Sequence, residues 1–216
     1  MTLPLIALTH PQSPAAEAYR ALRTNLEFAR PDAPIRLVVF TSPSRAEDTA
    51  DVVANLAVTV AQTGRRVLAV DADLRRPRLH DLFQVPDHPG LTEMVEAREQ
   101  GESYGRETVV PGLWVLPAGH IPSNPADILD SKWLTDVWPG LRSAFDMVLI
   151  NTPPVLAVAD AAILAPRVDG VVLVLKAGTT KRSHALQAKE RLERVGALLL
   201  GTVLVDAPYD KAVQSY

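Results

Sequence analysis

Short runs rich in Val, Ile and Leu recur at 35–40, 67–70, 113–116, 147–150, 170–175 and 198–205, and nothing else in the chain limits its fold so tightly. Each run has the length of a strand and lacks a polar alternation, the pattern of a strand covered on both faces. Segments with helical spacing lie between most of them, among them 52–62, 131–144 and 180–195. Strand and helix in alternation, joined by short connections, predict a doubly wound α/β fold, a mostly parallel sheet with helices on both faces. Pro-rich stretches at 86–89, 122–125 and 153–154 fall between these elements and mark loops. Ligands of such sheets sit beyond the carboxyl ends of the strands, so chemistry is expected after Phe40, Val70 and Ile150.

The remaining bulk properties exclude more than they assign. A length of 216 residues fits one domain over 1–216 with a large core. A formal net charge of −3 gives no basic field for nucleic acid. There is no cysteine, which removes disulfides, thiolate metal sites and thiol nucleophiles, and the five histidines lack metal-ligand spacing. No metal site is therefore expected. No apolar stretch approaches the ~20 residues of a spanning helix, and the start lacks a signal pattern, so a cytoplasmic protein is expected.

After Val70 the chain reads Asp71-Ala72-Asp73-Leu74-Arg75-Arg76-Pro77. Two carboxylates one residue apart at a strand end can approach hydrated Mg²⁺ or accept a proton from an attacking hydroxyl. They can equally cap a turn or pair with Arg75 and Arg76. The context is specific: Val67-Leu68-Ala69-Val70-Asp71-Ala72-Asp73-Leu74-Arg75-Arg76-Pro77 resembles the second Walker motif of the bacterial tyrosine kinases, P-loop enzymes that control capsule and exopolysaccharide export. The resemblance spans nearly the whole chain. It includes a helix at 13–25, Asn55-Leu56-Ala57 with Ala61-Gln62-Thr63-Gly64 after it, Asn124-Pro125-Ala126-Asp127-Ile128-Leu129, and the strand running into Asn151-Thr152-Pro153-Pro154. It implies a P-loop NTPase-like domain of the wider MinD/ParA type.

The departures from the family pattern are equally specific. After the first strand the family reads Thr-Ser-x-x-Pro-Gly-Glu-Gly-Lys-Ser/Thr-Thr, whereas this chain reads Thr41-Ser42-Pro43-Ser44-Arg45-Ala46-Glu47-Asp48-Thr49-Ala50-Asp51. Ala46 and Asp48 stand for the glycines, Thr49 for the phosphate-binding lysine, Ala50 for the Mg²⁺-binding hydroxyl, and Asn151 for the Walker B acid. A P-loop wraps phosphate in successive N–H groups, with glycines in conformations costly for other residues. A hydrogen bond to a charged group is worth ~1.5–3 kcal/mol, so losing two or three removes roughly 3–9 kcal/mol. A micromolar ATP site has only about 8 kcal/mol to lose. No cofactor is expected on this reading. Ser44-x-x-Glu47 has the capping-box pattern, which predicts that the following helix starts near Ser44 and satisfies its own N–H groups; an irregular loop is the alternative. Arg45, Arg75, Arg76 and Lys181 are the cations placed to rescue phosphate binding.

Glu17, Arg20 and Arg23 are spaced three apart on one predicted helical face within the N-terminal region 1–30. Alone this is a solvated ion pair, but it resembles the Glu-x-x-Arg-x-x-Arg pattern that links the family's subunits into a ring, and so implies a homo-oligomer. The tail at 207–216 carries Tyr209 and Tyr216, which stand where the family has a tyrosine cluster phosphorylated between subunits. The resemblance further implies a partner at the inner membrane, the cytoplasmic segment of a polysaccharide co-polymerase that determines chain length, and an active paralogous kinase as a second partner. The expectation is a pseudokinase: an assembly or regulatory protein of polysaccharide export that keeps Asp71 and Asp73 as relics. Two enzyme readings stay open. One is an active tyrosine autokinase using MgATP through an unconventional loop, with Asp71 and Asp73 catalytic. The other is a positioning ATPase of the MinD/ParA type.

Overall fold

A computed structural model describes residues 3–30, 33–98 and 105–208. The chain opens with a short helix α1 (Ile6–Thr9) and the longer α2 (Pro14–Phe28). Ser13 caps α2 by accepting the Ala16 N–H at 3.2 Å, and Pro14 takes the first helical position, where no N–H is needed. Then follow β1 (Leu37–Thr41), α3 (Thr49–Ala61), β2 (Val67–Asp71), α4 (Leu79–Phe83), α5 (Leu91–Ala97), β3 (Arg106–Glu107) and β4 (Leu113–Leu116). The second half runs α6 (Pro125–Asp130), α7 (Lys132–Ala144), β5 (Met147–Asn151), α8 (Asp160–Leu164), β6 (Gly170–Lys176), α9 (Arg182–Arg194) and β7 (Leu199–Val205).

The strands form one sheet in the order β3-β4-β2-β5-β1-β6-β7, all parallel except the two-residue β3, which runs against β4. The mostly parallel, doubly wound fold expected from the apolar runs is the one observed. Alternate residues of one strand feed opposite cores: Val38 and Phe40 of β1 pack with α1, α2, α3 and α4, whereas Leu37 and Val39 pack with α5, α7 and α9. The sequence 49–61 is buried along its whole length, so α3 is a core helix and not an amphipathic surface one.

Strands β2, β5 and β1 are neighbours, and Asp71 of β2 stands in register with Asn151 of β5. Both strands, like β1, extend one residue past their apolar run into polar side chains. Those polar ends bring the three loops singled out by the sequence to one edge of the sheet.

Candidate functional site

The loop after β1 does not become the start of an α-helix at Ser44. Ser44 instead caps a single 3₁₀ turn, Arg45–Glu47, and α3 begins only at Thr49. The capping box is present: Ser44 Oγ accepts the Ala46 N–H at 3.4 Å, and the Ser44 N–H donates to Glu47 Oε2 at 3.2 Å. The break comes at Asp48, which adopts a left-handed conformation with φ of 44°. Asp tolerates that region better than most residues, and a helix cannot pass through it. The four-residue pattern was read correctly and the element it caps was not, because the box fixes only one turn.

Glu47 is the fastening of this loop. Its side chain is 1% exposed. Oε2 also accepts Ser44 Oγ at 2.8 Å, and Oε1 accepts Thr180 Oγ1, at the β6–α9 connection, at 2.7 Å. Thr180 Oγ1 in turn accepts the Lys176 N–H at 2.8 Å. The Asp48 carboxylate caps nothing. It lies 3.6 Å from Arg78 and 3.9 Å from Lys176, while Arg78 also reaches Asp51 at 3.1 Å. Carboxylates and their cations thus occupy the ground beside the first turn of α3, where Thr49 and Ala50 replace a lysine and a metal-binding hydroxyl.

The second loop kept its acids and gave each of them protein donors. Asp71 is fully buried. Its Oδ2 accepts the N–H groups of Arg78 and Leu79, both at 2.8 Å, and its Oδ1 accepts Asn151 Nδ2 at 2.9 Å and the Asp73 N–H at 3.3 Å. Burial pushes the Asp71 carboxyl above the usual carboxylate range, and the donors from Leu79, Asn151 and Arg78 pull it back. Two donors per oxygen leave neither a lone pair for a metal nor an acceptor for an added proton. Asp73 Oδ1 accepts the N–H groups of Arg75 at 3.2 Å and Arg76 at 3.0 Å; burial raises this carboxyl too. The expectation that these acids pair with the Arg75 and Arg76 side chains is corrected: they hold the backbone, and the Arg75 side chain turns to buried Asp160 at 3.2 Å.

A cleft of about 230 Å³ remains between the loops, lined by Ser44, Arg45, Asp48, Thr49, Arg76 and Arg78, among others. Of the four cations expected to reach in, Arg45 and Arg76 line it, while Arg75 is engaged elsewhere and Lys181 stands at the start of α9. Arg78 was missed, although it lies in the same short loop. The parts played by Asp160 and Thr180 had no local signal, being separated from their partners by 85 and 133 residues.

The residues that MgATP would need do not fit it here. Ala50 offers no metal ligand, Asp71 has no free lone pair, and Asn151 spends its amide on Asp71. At the other end of α3, the expected face of α2 divides. Glu17 and Arg20 form an exposed pair at 2.7 Å, but Arg23 turns inward, donating to the Thr59 carbonyl at 3.3 Å with Glu27 at 3.9 Å. Tyr209 and Tyr216 lie outside the described residues.

The chain is 42% identical over 200 residues to tyrosine-protein kinase YwqD of Bacillus subtilis, covering 93% of this chain and 84% of that one. It belongs to the bacterial tyrosine-kinase family. The putative tyrosine-protein kinase CapB of Staphylococcus aureus is 33% identical, with 99% of this chain and 93% of CapB aligned. The putative kinase EpsB of Ralstonia solanacearum is 38% identical across 92% of this chain, which spans only 26% of that protein. No protein-family model matches the chain. Among solved structures, the chimerical protein CapA2B2 superposes with a TM-score of 0.90 at 34% identity, covering 95% of this chain and 90% of that one. The kinase domain of Escherichia coli ETK follows at 0.89 and 30%, over 97% and 85%. The cell division ATPase MinD of Pyrococcus furiosus gives 0.67 at 26%, over 78% and 71%. The bacterial tyrosine-kinase fold is thus retained to the strand ends, and the differences sit in the loops that would meet nucleotide.

Proposed function

We propose that this chain is a pseudokinase of the bacterial tyrosine-kinase family, an assembly or regulatory subunit in capsular or exopolysaccharide synthesis and export that works without MgATP. One observation carries the reading: the Asp71 carboxylate, the surviving acid of the nucleotide site, is saturated by four N–H donors of its own chain, one of them from the residue that replaced the Walker B acid. A metal would have to break hydrogen bonds to a buried charge, each worth ~1.5–3 kcal/mol. The missing lysine and hydroxyl at Thr49 and Ala50 support the same conclusion, as does Glu47, which bolts the loop to Thr180.

On this reading the exposed Glu17–Arg20 pair of α2 is the contact between copies in a homo-oligomer, and Arg23 braces α2 on α3. The membrane partner implied by the family, the cytoplasmic segment of a polysaccharide co-polymerase, would hold the assembly at the inner membrane, and Tyr209 and Tyr216 would be substrates of an active paralogue. A second reading, an active kinase, draws on one observation: three arginines, Arg45, Arg76 and Arg78, line the cleft.

Equilibrium titration with ATP and ADP in Mg²⁺ separates the two. The pseudokinase reading expects no binding at millimolar nucleotide; a dissociation constant below about 100 μM overturns it, since that is roughly 5–6 kcal/mol of affinity the loop lacks the groups to supply. Light scattering on Arg20→Ala tests assembly, with a fall in mass expected and an unchanged oligomer counting against the assignment.

A further inference from the structure

Most described arginines have an acid, a carbonyl or an aromatic ring to face. Arg78 has Asp48 and Asp51, Arg75 has Asp160, Arg142 has Asp169, and Arg66 lies over Trp114 and Phe145. Among the described residues, the guanidiniums of Arg45 and Arg76 have no hydrogen-bond or ion-pair partner, and both line the same cleft. The other described arginines in that condition, Arg30, Arg98 and Arg182, are exposed and line no cleft described above. Two unpaired guanidiniums gathered at one opening repel each other and favour an anion between the loops that carry them.

The acids of the lining do not neutralise them. Asp48 is shared between Arg78 and Lys176, and Asp73 accepts the backbone N–H groups of Arg75 and Arg76. Counting Arg45, Arg76 and Arg78 against Asp48 and Asp73, the lining is left with one excess positive charge. The Thr49 hydroxyl, also in the lining, has no partner among the described residues and adds a neutral donor. The Ser42, Ser44 and Thr152 hydroxyls are spent on the Ser44 carbonyl, Glu47 and the Phe40 carbonyl, so the donors available to a ligand are the two guanidiniums and Thr49.

Size sets the ligand. The cleft's volume of about 230 Å³ falls below the roughly 300–1,000 Å³ of pockets that enclose drug-sized ligands. A chain of phosphates would also run toward Asp48 without lysine or metal to offset its charge. A single tetrahedral dianion needs neither, because planar guanidiniums bind phosphate through paired N–H groups. We propose that this cleft binds one phosphomonoester group, held by Arg45, Arg76 and the Thr49 hydroxyl. The proposal rests on the loss of MgATP argued above and gives the vacated site a ligand class of its own.

Titration of the full chain with phenyl phosphate, inorganic phosphate, phenol and MgATP, followed by calorimetry or amide chemical shifts, tests it. Phenyl phosphate is expected to bind and phenol not to. Arg45→Ala and Arg76→Ala are each expected to weaken phenyl phosphate by about tenfold or more, the value of one charge-assisted hydrogen bond. Neither side chain has an internal partner to lose, so both variants should keep the parent melting temperature. Phosphate binding as tightly as phenyl phosphate would make the oxyanion alone the ligand, and tighter phenyl phosphate would add its carrier; either supports the site. No binding of phenyl phosphate, or binding indifferent to both replacements, overturns the proposal and leaves the pseudokinase reading standing if MgATP also fails to bind. MgATP binding more tightly than phenyl phosphate overturns both.

Discussion

The loops after β1 and after β2 stand side by side at one edge of the sheet and have met the same problem in opposite ways. The first has exchanged its chemistry: glycines, lysine and hydroxyl are gone, and a capped 3₁₀ turn with a buried glutamate fills their place. The second has kept both aspartates and changed what they touch, so that every lone pair of Asp71 faces an N–H of the chain. The difference teaches that a retained acid is not a retained site. A carboxylate can persist because the fold has come to depend on it, and its hydrogen-bond partners tell which case applies.

The largest test reverses the first loop and the facing strand together. Ala46→Gly, Asp48→Gly, Thr49→Lys, Ala50→Ser and Asn151→Asp in one chain should raise MgATP affinity by about a thousandfold or more, out of the roughly 3–9 kcal/mol those groups supply. A well-folded quintuple variant with no gain in equilibrium binding would break the comparison at its root. Asp71→Ala should come next, costing about 3–5 kcal/mol in urea denaturation, because it strands buried donors from Arg78, Leu79 and Asn151. A cost below about 1 kcal/mol would show that the second loop does not need its acid. Glu47→Ala should cost less, about 2–3 kcal/mol, since Ser44 and Thr180 can turn to water once the loop loosens.

The smallest effect is one of pH. Burial first, and the neighbouring Asp48 charge after it, raise the Asp51 carboxyl above its ordinary 3.8, with Arg78 pulling it down. The folded chain therefore holds this proton at pH values where the unfolded chain has lost it. The contribution to stability is fully present below 3.8 and disappears as pH rises through the raised folded value. Asp51→Asn removes that loss, so its urea midpoint should gain on the parent as pH climbs from about 4 toward neutrality. A difference that stays flat across the range would detach Asp51 from the electrostatics of the first loop.

Much of this was legible in residue order because the sheet is buried on both faces, and apolar runs of strand length admit few other folds. The strand ends were less legible: Thr41, Asp71 and Asn151 are polar, and their membership depends on register with neighbours far along the chain. The two-residue β3 is too short to leave a pattern. At the site, the substitutions at 46, 48, 49, 50 and 151 could be named from sequence, as could the capping box. The break at Asp48 could not, since an i to i+3 pattern satisfies a 3₁₀ turn and an α-helix alike. Nor could the inward turn of Arg23, which depends on where the Thr59 carbonyl of a separate helix lies.

The Asp71–Asn151 hydrogen bond joins two neighbouring strands at their last paired residues. In a nucleotide-cycling relative, what lies between such strand ends changes with each turnover, and the protein keeps time by it. A rung made of two side chains has no turnover and no clock. Whatever this chain reports to its partners, it reports by being present, by how many copies meet, or by what is attached to it, and the message lasts until the copies part.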